Sequence, residues 1–193
     1  MGRAAKYTPE QFLDAALDLV AEHGPSAVTI SAIAQKHGAP IGSVYHRFLS
    51  RDALLAKLWL QVVRSFQEGF LDTLRRKGGF EAALYTPAWV RAHPKEARLL
   101  FVYRREELIS GSWPEEIQRL AASVANELNT GIIQFTRQLF SRVSKSALRR
   151  VQFALIDVPY AAVRRSVIAG EPPPEVVDRL VSETYDVILG RQS

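Results

Sequence analysis

Residues 29–55 read TISAIAQKHGAPIGSVYHRFLSRDALL, and their punctuation decides the fold. Thr29 stands where a hydroxyl can cap a short helix, Ile30, Ile33 and Ala34 give that helix one apolar face, and Gly38 stops it. A second short run, 41–47, follows at once; Ser50 then caps a longer helix with Asp52 in its first turn, where the helix dipole favours an anion. In the second run Val44 and Phe48 can anchor inward, which leaves Gly42, Ser43, Tyr45 and His46 outside. Glycine inside a helix costs about 1 kcal/mol relative to alanine, so Gly42 marks a turn, a close helix contact within the chain, or a place where a partner approaches the backbone closely.

Working outward, Thr8, Pro9 and Gln11 make a strong helix start, with a hydroxyl cap, proline in the first turn and a glutamine placed to reach back. Phe12, Ala15, Ala16, Leu19 and Val20 line one face of that helix and Gly24 ends it. The long helix from Arg51 runs to about Lys77 and closes at KGG. Helical periodicity continues over about 80–92, 95–109, 115–140, 145–169 and 174–189, broken at His93-Pro94, SGSWP (110–114), Ser141 to Ser144 and GEPPP (170–174). No segment alternates as a strand does, so the expectation is an all-α chain of about nine helices.

Composition narrows the function classes. The 193 residues are 47% hydrophobic and 23% charged, enough for a real core, and no apolar run reaches the roughly 18 residues that a membrane span needs. The opening MGRAAKYTPEQF is amphipathic where a signal peptide would be apolar, which points to a cytoplasmic protein without a membrane partner. With no cysteine, disulfides, thiolate zinc sites and cysteine nucleophiles are excluded. The four histidines at 23, 37, 46 and 93 lack metal-ligand spacing, and neither a nucleophile–base pair nor a phosphate loop is apparent. No enzyme, cofactor or metal is expected. The formal charge is +5, but residues 1–60 hold six bases against five acids, a net +1. A polyanionic partner would therefore depend on where charges are placed.

Two short helices joined by a glycine-containing turn and packed behind a longer first helix form a helix-turn-helix, whose second short helix lies in the major groove of DNA. Gly42 and Ser43 would keep the outer face thin, Tyr45 would donate to a phosphate, and His46 would meet a phosphate or base edge. Thr29 offers a hydroxyl and helix-start N–H groups to another phosphate, and Arg47 and Arg51 add charge. Sequence reading would rest on Ile41, Ser43 and His46.

The stretch 29–55, with FLDAALDLVAEHG (12–24) before it, resembles the DNA-binding signature of TetR-family transcriptional regulators over roughly residues 8–60. The resemblance implies a bacterial, two-fold homodimer, a pseudo-palindromic double-stranded operator, and release of DNA when a small molecule binds the C-terminal part. It suggests a DNA-binding domain over 1–55 and an effector-binding and dimerisation domain over 56–193. Three residues depart from the family's pattern: Pro40 stands where a capping serine is usual, Arg47 where His or Tyr is usual, and Arg51 replaces a lysine.

The C-terminal part is less specific. Trp89, Phe101, Tyr103, Trp113, Phe135 and Tyr160 are candidate walls of a largely apolar effector pocket, with ordinary core as the plainer alternative. Leu148, Val151, Leu155 and Val158, then Val177, Leu180, Val181, Tyr185 and Ile188, form apolar rows on the last two helices and suggest a four-helix bundle between two chains. Arg104 and Glu107 have surface ion-pair spacing. Pro159 falls inside a helix, where a kink beside the pocket competes with a tolerated one. The rival to a ligand-released repressor is an activator or effector-independent regulator whose C-terminal domain contacts a protein.

Overall fold

The computed structural model describes residues 7–103, 113–140 and 142–190, and these are helical with no strand among them. The helices are α1 (Pro9–His23), α2 (Ile30–Lys36), α3 (Ile41–Tyr45), α4 (Arg51–Lys77), α5 (Gly79–Ala92), α6 (Pro94–Phe101), α7 (Glu115–Phe140), α8 (Lys145–Gln152), α9 (Val158–Ala169) and α10 (Val176–Leu189). A π-helical stretch, Phe153–Asp157, joins α8 to α9 in one rod, so the described residues form nine rods, as the periodicity implied. Helix α6 stops at Phe101, short of the expected 109, because Val102 and Tyr103 turn out of it; the Arg104–Glu107 pairing and Ser141 lie outside the described residues.

The expected caps form. Thr8 Oγ1 accepts from the Gln11 N–H at 3.4 Å while Gln11 Oε1 accepts from the Thr8 N–H at 2.9 Å, and Thr29, Ser50 and Ser144 each accept from the backbone three residues on. Inside the N-terminal unit Phe12, Val20, Ile33, Val44 and Leu54 bury completely against one another. Each such side chain contributes about 1.5–3 kcal/mol by leaving water. The same core continues through Phe70, Trp89, Leu99 and Leu155 to Val181. The expected 55/56 domain boundary falls inside α4, which packs on α1, α5, α6 and α7 and is common to both parts.

Three features of the C-terminal part were not foreseen. Pro87 sits buried within α5, where its missing N–H deprives the turn before it of a bond. Gly79 opens α5 where a Cβ would stand 2.4 Å from a Phe135 ring carbon and 2.7 Å from the Tyr185 hydroxyl, so only glycine allows this approach. At Pro159 the chain does not break; the π-helical stretch just before it re-routes the backbone, with the Val158 N–H reaching the Phe153 carbonyl. The GEPPP connector is clamped: the Arg91 guanidinium donates to the Pro173 and Pro174 carbonyls at 2.8 and 3.2 Å and pairs with Asp178.

The rows expected to face a second chain divide. Val151, Leu155, Val177, Val181 and Tyr185 are buried within this chain, and Leu148, Val158 and Ile188 are partly buried against its core. The fully buried members hold the last helices onto the rest of the chain, and the partly buried ones keep an exposed edge. Of that set only Leu180 is exposed, at 52%, and it is joined outside by Val176 and by Val187 at 85%.

Candidate nucleic-acid interface and apolar pocket

Helix α3 begins without help. Pro40 is its cap residue, in an extended conformation, and no side chain caps the first turn. Helical conformation ends at Tyr45, two residues short of the expected 47, although the Phe48 N–H still reaches the Val44 carbonyl at 2.9 Å. Val44 and Phe48 are buried in the core as anchors, and α3 packs against α2. On the other side Ile41 is 48% exposed, Tyr45 56% and Leu49 90%. His46 and Gly42 are exposed beside them and Ser43 is half-buried.

Gly42 is the informative member of this face. A Cβ built on it meets no atom within 4 Å, and its backbone is not in the left-handed region that favours glycine. Neither packing nor conformation within the chain requires a glycine there. Among the described residues no close helix contact accounts for it.

Arg51 and Arg47 are engaged within the chain. The Arg51 guanidinium donates to the Val28 carbonyl at 2.6 Å and the Pro25 carbonyl at 2.7 Å and pairs with Asp52 at 2.8 Å. It fastens the loop before α2 to the start of α4. Arg47 donates to the Ser43 carbonyl at 2.8 Å and to the Tyr7 carbonyl, and lies over the Phe12 ring at 5.8 Å. The expected phosphate contacts from these two arginines therefore meet guanidiniums already committed to the fold. Tyr7 completes the brace by donating to the Gly38 carbonyl at 3.0 Å. The Thr29 hydroxyl oxygen accepts from the Ala32 N–H at 3.0 Å and keeps its own proton to donate.

Asp18 on α1 bridges two helices, pairing with Lys36 of α2 at 3.1 Å and Lys95 of α6 at 2.6 Å. The Lys95 hydrogen bond above all, helped by Lys36 and opposed by partial burial, holds the Asp18 carboxyl below its ordinary value of 3.8. With the folded value lowered, the stabilisation is present above that ordinary value and is lost as pH falls below it. The tie between α1 and α6 is thus intact at neutral pH.

An apolar pocket of about 170 Å³ lies between α4, α5, α6, α7 and the π-helical stretch. Of the six aromatic candidates, Phe101 and Tyr160 line it. Trp89 stands behind, edge-on to Phe66 at 4.9 Å. The others lie elsewhere. Trp113 packs on Trp59 at 5.3 Å, Phe135 packs at Gly79, and the Tyr103 hydroxyl approaches Gly24. The walls that periodicity did not single out are Phe66, Gln67, Phe70, Thr86, Leu128, Leu155 and Ile156. Leu155, expected at a chain–chain contact, is a pocket wall. A larger cleft of about 580 Å³ near Gly78 and Tyr185 has Arg75, Lys77 and Glu81 on its walls, so it lacks the apolar lining of an enclosed ligand site.

Residues 12–58 match the family described as bacterial regulatory proteins, tetR family. No curated protein matches the chain. Among solved structures, the fatty acid degradation regulator FadR from Bacillus halodurans superposes with a TM-score of 0.71 at 16% identity, covering 97% of each chain. A TetR family transcription regulator from Marinobacter aquaeolei VT8 gives 0.67 at 19% identity, over 95% of this chain and 96% of that one. FadR from Bacillus subtilis, in complex with stearoyl-CoA, gives 0.62 at 15% identity over 96% and 100%. At these identities the likeness is one of fold, and it extends beyond the matched domain to nearly the whole chain.

Proposed function

We propose, from an N-terminal domain that belongs to the tetR family of bacterial regulatory proteins, that this chain is a transcriptional repressor. It binds a pseudo-palindromic operator as a homodimer and lets go when a small, largely apolar molecule enters its C-terminal part. The observation that carries the DNA-binding half is Gly42, a glycine with open space around it on a helix face that also exposes Ile41, Tyr45 and His46. A thin spot with no use inside the chain suits a surface that must come against a duplex. Tyr45, Thr29 and Ser43 supply neutral donors to phosphates, and Ile41, Ser43 and His46 read base edges. In a two-fold dimer the two α3 helices occupy successive major grooves about 34–36 Å apart.

The effector half rests on the pocket and on α4. Gln67, on a pocket wall, lies 16 residues along α4 from Arg51, about 24 Å at the helical rise. Arg51 in turn fastens the loop ahead of α2. A ligand that prefers one setting of α4 shifts the spacing of the recognition helices by its difference in affinity between the two settings. The buried apolar pocket favours this reading over a regulator governed by protein contacts alone. The experiment is DNA selection from a random pool, then binding at matched salt. Tyr45→Ala is expected to weaken operator and random DNA alike, and His46→Ala to change the preferred sequence. Parent-like binding by both variants contradicts the assigned docking.

A further inference from the structure

The pocket walls are Phe66, Phe70, Phe101, Leu128 and Leu155 with their neighbours, and no charged side chain is among them. One polar atom breaks the pattern. Gln67 lines the pocket, and its Oε1, shut off from solvent, has no hydrogen-bond partner among the described residues. A buried carbonyl oxygen without a donor is costly and uncommon, and it marks a place where a ligand can supply what the protein does not. The size is also restrictive: an apolar cavity of about 150 Å³ holds benzene, so about 170 Å³ holds a single ring or a chain of comparable length.

We infer that the effector is a small uncharged molecule, an apolar ring or short chain bearing one hydrogen-bond donor, toward which the Gln67 side chain turns so that its Oε1 accepts from it. This inference rests on the effector-binding reading above and narrows it. A carboxylate or phosphate buried here would lose its water and find no cation on the walls, so the lining disfavours anionic ligands. A thioester as large as the stearoyl-CoA of the Bacillus subtilis complex exceeds the pocket many times over and brings phosphates with it. The π-helical stretch helps shape the site by turning both Leu155 and Ile156 toward it, and Tyr160, 42% exposed, stands at its edge. Thr86, buried on the opposite wall, adds a second polar group within the same lining.

The test is calorimetric titration of the full chain with phenol, toluene and benzoate, three ligands built on one ring. Phenol is expected to bind about tenfold tighter than toluene, and benzoate at neutral pH not measurably, since a site that offers a buried acceptor rejects an analogue lacking the donor. Gln67→Met, close in shape, should remove the preference for phenol over toluene. Equal binding of phenol and toluene by the parent overturns the donor requirement while leaving an apolar effector pocket in place. Benzoate binding as tightly as phenol overturns the preference against anions. If neither neutral ring binds while the protein still binds DNA, the pocket itself is not the effector site and both readings of it fall together. The parent comparison stands even if Gln67→Met does not fold.

Discussion

Arg51 shows how one side chain can look like a DNA contact and serve the fold. Its position at the start of α4, beside the α3 face, suited a phosphate contact, yet its fork meets two backbone carbonyls and Asp52. A lysine, with a single point charge, cannot hold that arrangement, which gives the departure from the family's usual lysine a structural reason. Arg51→Ala is expected to lower stability by about 1–3 kcal/mol in chemical denaturation. The dependence of DNA affinity on salt should keep the parent's slope. A slope shallower by about one unit in log–log form would instead return Arg51 to the phosphates. Nothing local signalled the role, because Pro25 and Val28 lie 26 and 23 residues away. Arg47 is alike, with the Tyr7 carbonyl 40 residues distant.

The elements themselves were legible because their signals are local. Thr8 with Gln11, Thr29, Ser50, Gly24 and Gly38 act within a turn or so of where they stand, and each start or stop they mark is where the chain makes it. Harder to read was which side of a helix faces what. On α10, Val177, Val181 and Tyr185 form an inward stripe, whereas Val176, Leu180 and Val187 fall within about 40° of one another on the outside. Reading the apolar positions as a single row merged two faces, and separating them at 100° per residue would have found the outer one. The π-helical stretch left no mark in the apolar pattern, and only Pro159 hinted at it, since a proline's missing N–H must be accommodated by the preceding turn. The pocket was half legible for a similar reason. Aromatic content drew attention to Phe101 and Tyr160, while Gln67, a polar residue between Phe66 and Phe70 on α4, was the more telling signal and went unused.

At the scale of the molecule, α4 joins an N-terminal reading unit to a C-terminal pocket, and the Asp18 tie to Lys95 keeps α1 against α6. The outer stripe of α10 is the surface on which the dimer is proposed to form. Leu180→Glu should therefore yield a monomer in analytical ultracentrifugation with unchanged helicity, whereas Val181→Ala, which faces inward, should lose stability and stay a dimer. A Leu180→Glu protein that remains dimeric places the contact elsewhere. The central claim is that the open face of α3 meets DNA, and Gly42→Ala tests it most directly, because alanine has room in the free protein and suits a helix better. Thermal unfolding and operator affinity, measured on the same full-length preparation at one salt concentration, separate the two demands. The account predicts stability equal to the parent's or higher by about 0.5–1 kcal/mol, together with at least a roughly tenfold loss of operator affinity. Unchanged operator affinity in a stably folded Gly42→Ala protein would contradict it.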